Sequence, residues 1–139
     1  MVNLGKSFSY SKYALGNFIE QAKSTGNIHL ANPAVVRRAY IDAGEMMGVL
    51  LLDLMKGGGR LVSSGGFETS LKQLARLVLN EFNPSGRVIV PIETNEHQDD
   101  IYAPNVEPFN LLAKSYGVTL SNLEEQIRIT ARSSIFASK

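Results

Sequence analysis

The sequence predicts a mainly α fold: a helical bundle of about five helices forming a single domain over residues 1–139, with a short extended arm or β-hairpin at 87–103. Three observations carry that reading. Apolar residues recur three and four apart through most of the chain, and cap and stop residues bracket those runs. The clearest β-branched run, RVIVPIET at 87–94, contains Pro91, which confines it to an edge strand or an extended arm. At 139 residues the chain also matches the size of one hydrophobic core.

The elements follow in order. Tyr10, Ala14, Leu15, Phe18, Ile19 and Ala22 mark a first helix over 10–23, with Gly26 as its stop. Asn32-Pro33 reads as a helix start, since Asn caps free N–H groups and Pro loses nothing at the first helical position. From there one continuous helix is expected over 33–56, ended by Gly57. Val36, Tyr40, Ala43, Met47, Leu50 and Leu54 form its seam, and Met46, Leu51 and Met55 widen the C-terminal half. Arg38 and Asp42 stand as an i,i+4 pair on it. After the glycine-rich stretch KGGGRLVSSGG at 56–66, a third helix is expected over 69–82, closed by Asn83-Pro84. A fourth covers 109–116 and stops at Gly117. A fifth runs over 121–133 from the capping-box pattern Ser121-Asn122-Leu123-Glu124.

Composition narrows the function classes. Without cysteine there are no disulfides, thiolate zinc sites or cysteine nucleophiles. A net charge of +1 argues against a dedicated nucleic-acid binder, whose affinity rests on phosphate neutralisation. The longest apolar stretch, 46–52, is far short of the roughly 20 residues of a membrane span. A soluble protein with no signal peptide is expected, in the cytoplasm or within a particle assembled there.

Several patterns are candidate sites. Gly44 and Gly48 lie one turn apart inside a helix, where each glycine costs about 1 kcal/mol relative to Ala. The gain that offsets this is close approach by another helix, within the fold or between copies. Gly44, Met47, Gly48 and Leu51, with Val88 and Val90 on the arm, are therefore the self-association candidates. The glycine-rich loop with Arg60 lacks a phosphate-loop pattern and reads as a connector. Glu93, Glu96, His97, Asp99 and Asp100 lack metal-loop spacing and read as a solvated turn. His29 reads as structural.

The segment LLAKSYGVTLSNLEEQI at 111–127 resembles the helix-turn-helix motif of bacterial and phage regulators, with Ala113 at the helix crossing, Gly117 in the turn and Leu123 at the buried position. The resemblance implies a second helix in the major groove, with Thr119, Ser121, Asn122 and Arg128 toward DNA. Glu124 and Glu125 would then face phosphate, and Gln126 stands where the motif carries an apolar residue. Two core helices joined by a tight glycine turn explain the same segment.

The expected function is therefore a non-enzymatic interaction or assembly protein, such as a structural subunit of a virion, phage particle or filament. A small DNA-binding regulator is the alternative. The expected partner is the chain itself or other assembly subunits, with nucleic acid under the alternative and no membrane. No catalytic residue, metal or cofactor is expected.

Overall fold

The structure, a computed structural model, describes residues 13–59, 62–63, 65–92 and 98–132. In order they form α1 (Ala14–Ser24), β1 (Ile28–His29), β2 (Val36–Tyr40), α2 (Ala43–Met55), β3 (Phe67–Ser70), α3 (Leu71–Phe82), β4 (Val88–Ile89), β5 (Asp100–Tyr102), α4 (Glu107–Ser115) and α5 (Leu123–Arg132). Among the described residues there are five helices, as expected, but not the helical bundle. Strands interleave with the helices in two small sheets, and the arrangement is mixed α/β. Contacts group the chain into two compact units. One comprises the described parts of 1–33 and 71–97, the other those of 34–70 and 98–139.

In the first unit, α1 packs on α3. Phe18, Ile19 and Ala22 are buried on one helix, and Leu74, Ala75, Val78 and Leu79 on the other, each set at helical spacing. The chain leaves α1 through Gly26 and runs into β1, which pairs parallel with β4, Ile28 beside Val88 and His29 beside Ile89. Two asparagines brace the junction. Asn83 Nδ2 donates to the Gly26 carbonyl at 3.0 Å, and Asn27 Oδ1 accepts the Arg87 N–H at 2.9 Å. Tyr10, the first apolar residue of the expected opening helix, lies outside the described residues.

The expected hairpin at 87–103 does not form. β4 pairs with β1 and β5 with β2, so the two strands join different sheets. Pro91 behaves as its chemistry requires and sits beyond the last paired residue of β4.

In the second unit, β2 is the middle strand of the order β3-β2-β5, antiparallel to β3 and parallel to β5. This overturns the continuous helix expected over 33–56. Val36 and Tyr40 fit the helical seam, but valine and tyrosine also favour strands. β3 pairs with 37–40 on one edge and β5 with 36–38 on the other, and helix formation waits until Asp42. There the Asp42 carboxylate accepts the Glu45 N–H at 3.0 Å and its carbonyl accepts the Met46 N–H at 3.0 Å, which caps α2. Asn32-Pro33 starts no helix. The expected Arg38–Asp42 pair gives way to cross-strand pairs, Arg37 with Glu68 and Arg38 with Asp100, each at 2.5 Å. The hydrogen bond from Arg38 to Asp100 is the main cause raising the guanidinium pKa above its ordinary value.

The entry to β3 is fixed by glycine. Gly66 has φ +101°, and a Cβ there would overlap the Tyr40 carbonyl. The Asn110 carboxamide clamps the same residue, accepting its N–H at 3.0 Å and donating to its carbonyl at 3.1 Å. The core of this unit is Val49 of α2 with Phe109, Leu112 and Ala113 of α4, ringed by Ile41, Met46, Leu50, Val62, Tyr116, Val118 and Leu120.

Tyr40 gives the sheet a pH dependence. Its half-buried phenol is desolvated, which raises its pKa above 10.0, and Arg38 opposes that only in part. The folded chain thus holds the phenolic proton more tightly than the unfolded one. That stabilisation is fully present below pH 10 and is lost as pH rises above it. Urea unfolding across this range should show stability falling more steeply for the natural chain than for Tyr40→Phe. Equal slopes would contradict the assignment.

Candidate self-association face

The inner face of α2 is anchored by apolar packing and by one buried carboxylate. Val49 is fully buried. One turn on, Asp53 is only 4% exposed, and it accepts a hydrogen bond from the Tyr116 hydroxyl at 2.7 Å. A buried carboxylate needs such donors, because desolvation costs several kcal/mol otherwise. The glycine loop supplies the rest of the setting. The Gly57 N–H donates to the Leu54 carbonyl at 3.0 Å and the Gly58 N–H to the Asp53 carbonyl at 2.8 Å, a Schellman close to the helix. A Cβ on Gly58 would overlap the Asp53 carboxylate. Lys56 lies over the Tyr116 ring, 4.7 Å from its centroid. At the other end of α2, Glu45 Oε1 accepts the Ser121 N–H at 3.0 Å.

The outer face is the reverse. Every exposed residue of α2 is apolar or glycine. Met47 and Leu51 are about half exposed, and Leu54 and Met55 are 63% and 82% exposed. With Gly44 and Gly48 they recur at i, i+3, i+4, i+7, i+10 and i+11, one stripe along the helix. The structure therefore brings four of the self-association candidates, Gly44, Met47, Gly48 and Leu51, onto one surface. A Cβ on Gly48 would meet nothing within 4 Å among the described residues. Leu54 and Met55, both on the expected helix, extend the stripe beyond the four candidates. Their signal was the apolar character of 46–55 all round. The arm candidates stand apart: Val88 is paired with Ile28, and Val88 and Val90 are both half-buried.

The segment that resembles a helix-turn-helix consists of α4, residues 116–122 and α5. Gly117, at φ +71°, closes α4 in a second Schellman turn, with the Val118 N–H donating to the Ala113 carbonyl at 2.9 Å. The separation of the helices exceeds the three- or four-residue turn of that motif. Thr119 and Arg128 are exposed. Ser121 gives its N–H to Glu45. Asn122 caps α5, its Oδ1 accepting the Glu125 N–H at 2.9 Å, in place of the expected Ser121 box. Gln126, at the position where that motif carries an apolar residue, is 7% exposed and donates through Nε2 to the Ser121 carbonyl at 2.7 Å. Glu124 and Glu125 are exposed in the first turn of α5.

Of the acidic cluster, Glu93, Glu96 and His97 lie outside the described residues, as does Arg60 of the glycine loop. Asp99 Oδ1 accepts the Val35 N–H at 3.0 Å and Asp100 pairs with Arg38, so both carboxylates brace the β5 end of the sheet. His29 gives its backbone N–H to Gln21 Oε1 at 2.8 Å. Among the described residues no helix is long and apolar enough to cross a membrane. In comparisons with known proteins, no family model matches the chain and no curated protein matches it significantly.

The Asp53–Tyr116 bond is directly testable. Tyr116→Phe keeps the ring and removes the donor, leaving a buried carboxylate short of a partner. Denaturant unfolding should show a loss of about 1–3 kcal/mol. An unchanged midpoint would mean that solvent reaches Asp53 without cost.

Proposed function

We propose that this chain is a non-enzymatic, self-associating assembly subunit, of the kind that builds virions, phage particles or filaments, and that the outer face of α2 is its contact surface. The observation that carries the reading is the uncharged apolar stripe from Gly44 to Met55. An exposed patch of this kind on a helix whose opposite face is already committed to a core marks a protein-contact surface more often than an idle one.

The stripe also suits a second copy of itself. Its N-terminal half is hollow at Gly44 and Gly48, and its C-terminal half is bulky at Leu51, Leu54 and Met55. Two such helices laid antiparallel place Met55 of one against Gly44 of the other, and Leu51 against Gly48. That contact is isologous and so compatible with two-fold symmetry. Antiparallel helix dipoles favour it, and no charge on the stripe opposes it. The DNA alternative draws less support, because Asn122 and the Ser121 N–H serve the fold and the first turn of α5 is acidic.

Light scattering across a concentration series tests the proposal. The natural chain should rise above its single-chain mass of 15.2 kDa. Leu51→Asp, at a residue already half exposed, should weaken association at least about tenfold while leaving the melting of the dilute protein unchanged. A constant single-chain mass, or equal association by the variant, would refute it.

A further inference from the structure

We propose that a depression in the first unit, between α3 from its midpoint onward and the chain entering β4, is a binding site for a phosphate monoester held by Arg76 and Arg87. The depression has a volume of about 340 Å³ and is lined by Arg76, Leu79, Asn80, Pro84, Gly86, Arg87 and Val88. That lies at the lower end of the range of small-molecule sites.

Its chemistry is one-sided. Two guanidinium groups and a carboxamide supply the polar lining, and among the described residues no acidic one contributes to it. Arg37 and Arg38 are engaged by Glu68 and Asp100, whereas neither Arg76 nor Arg87 pairs with a described carboxylate. Two cations held at one depression repel each other unless an anion joins them. A phosphate monoester carries close to two negative charges at neutral pH and three acceptor oxygens, which matches two guanidinium forks better than a single carboxylate does. Buried Leu79 and half-buried Val88 supply apolar surface for the organic part of the ester.

The site is also built on fixed backbone. Arg87 is held on both sides, its N–H donating to Asn27 Oδ1 at 2.9 Å and its carbonyl accepting the Ile28 N–H at 3.0 Å. The Gly86 N–H donates to the Asn83 carbonyl at 2.8 Å, and a Cβ on Gly86 would overlap the Gly26 carbonyl. Arg76 and Asn80 stand one turn apart on α3, the helix that packs on α1. Arginines anchored this way lose little backbone freedom when a ligand arrives.

The test is an amide NMR titration of the full chain with phenyl phosphate, alongside phenol as the uncharged counterpart and a short oligothymidylate. Phenyl phosphate should shift the Arg76, Asn80, Arg87 and Val88 amides saturably at low millimolar concentration, and phenol should not. Arg76→Gln and Arg87→Gln should each weaken binding about tenfold, whereas Lys114→Gln, the same charge loss on α4, should change it less than about twofold. Both arginines are exposed, so unshifted spectra of the free variants will confirm that they fold. Oligothymidylate carries singly charged phosphodiesters, so its weaker binding supports a monoester site. Tighter binding of it through the same two arginines would overturn the monoester assignment in favour of a nucleic-acid backbone. Absence of saturable shifts at these amides, or equal weakening by Lys114→Gln, would overturn it.

Discussion

The second unit depends on the two-sided pairing of β2. Once β3 pairs with Arg37–Tyr40 on one edge and β5 with Val36–Arg38 on the other, the backbone of β2 is committed to the sheet and no helix can pass through it. The helix that follows must then begin at Asp42, and that start fixes the rotation of α2. Had it begun one residue earlier or later, the stripe would turn by about 100°. Val49 and Asp53 would then miss Phe109 and Tyr116. The arginines of β2 reinforce the register, because Arg37 reaches Glu68 and Arg38 reaches Asp100 only when the three strands are aligned as they are.

From that constraint α2 acquires two unlike faces. The inner one combines apolar packing with a carboxylate enclosed by a tyrosine hydroxyl and a glycine loop, an arrangement that tolerates little change. The outer one carries large apolar side chains with nothing polar among them. Full burial of a Leu or Met is worth roughly 1.5–3 kcal/mol. Four partly exposed ones therefore leave several kcal/mol of hydrophobic stabilisation available to association. Part of it would offset the entropy lost on binding. The glycines matter for the same reason. Gly44 and Gly48 weaken the helix slightly, and on an uncovered face a shallow surface for another molecule is what such a cost can return.

Much of the helical part of this fold is legible in the sequence, because each helix carries its own punctuation. Gly57 and Gly117 close α2 and α4 where a left-handed residue is required, and Asn83-Pro84 ends α3. The strands were harder to see, for a physical reason. β1, β4 and β5 have two or three residues each, too few for an alternating pattern. β2 contains Val36 and Tyr40 at a spacing that continues the helical seam of 43–54. Nothing local separates the two readings, and the partners that decide between them lie about thirty and sixty residues further on. Asp42 is the one local clue, a better cap than Asn32 because the longest apolar stretch, 46–52, begins within one turn of it. At the candidate face, the stripe was readable from periodicity. Which side of it was buried was not, since that depends on Phe109 and Tyr116. The depression at Arg76 and Arg87 had no sequence signature, because its two cations come from a helix and a strand entry that meet only in the folded chain.

Under the proposed function, α2 keeps one face in its own core and offers the other to a second molecule. Methionine methyl NMR with a soluble paramagnetic agent separates the two directly, since Met46 packs against the core while Met47 and Met55 lie on the stripe. On raising protein concentration, the Met47 and Met55 methyls should lose their paramagnetic relaxation while Met46 stays constant. If Met47 and Met55 remain equally accessible at every concentration, the outer face has no partner in the chain itself and the account is wrong.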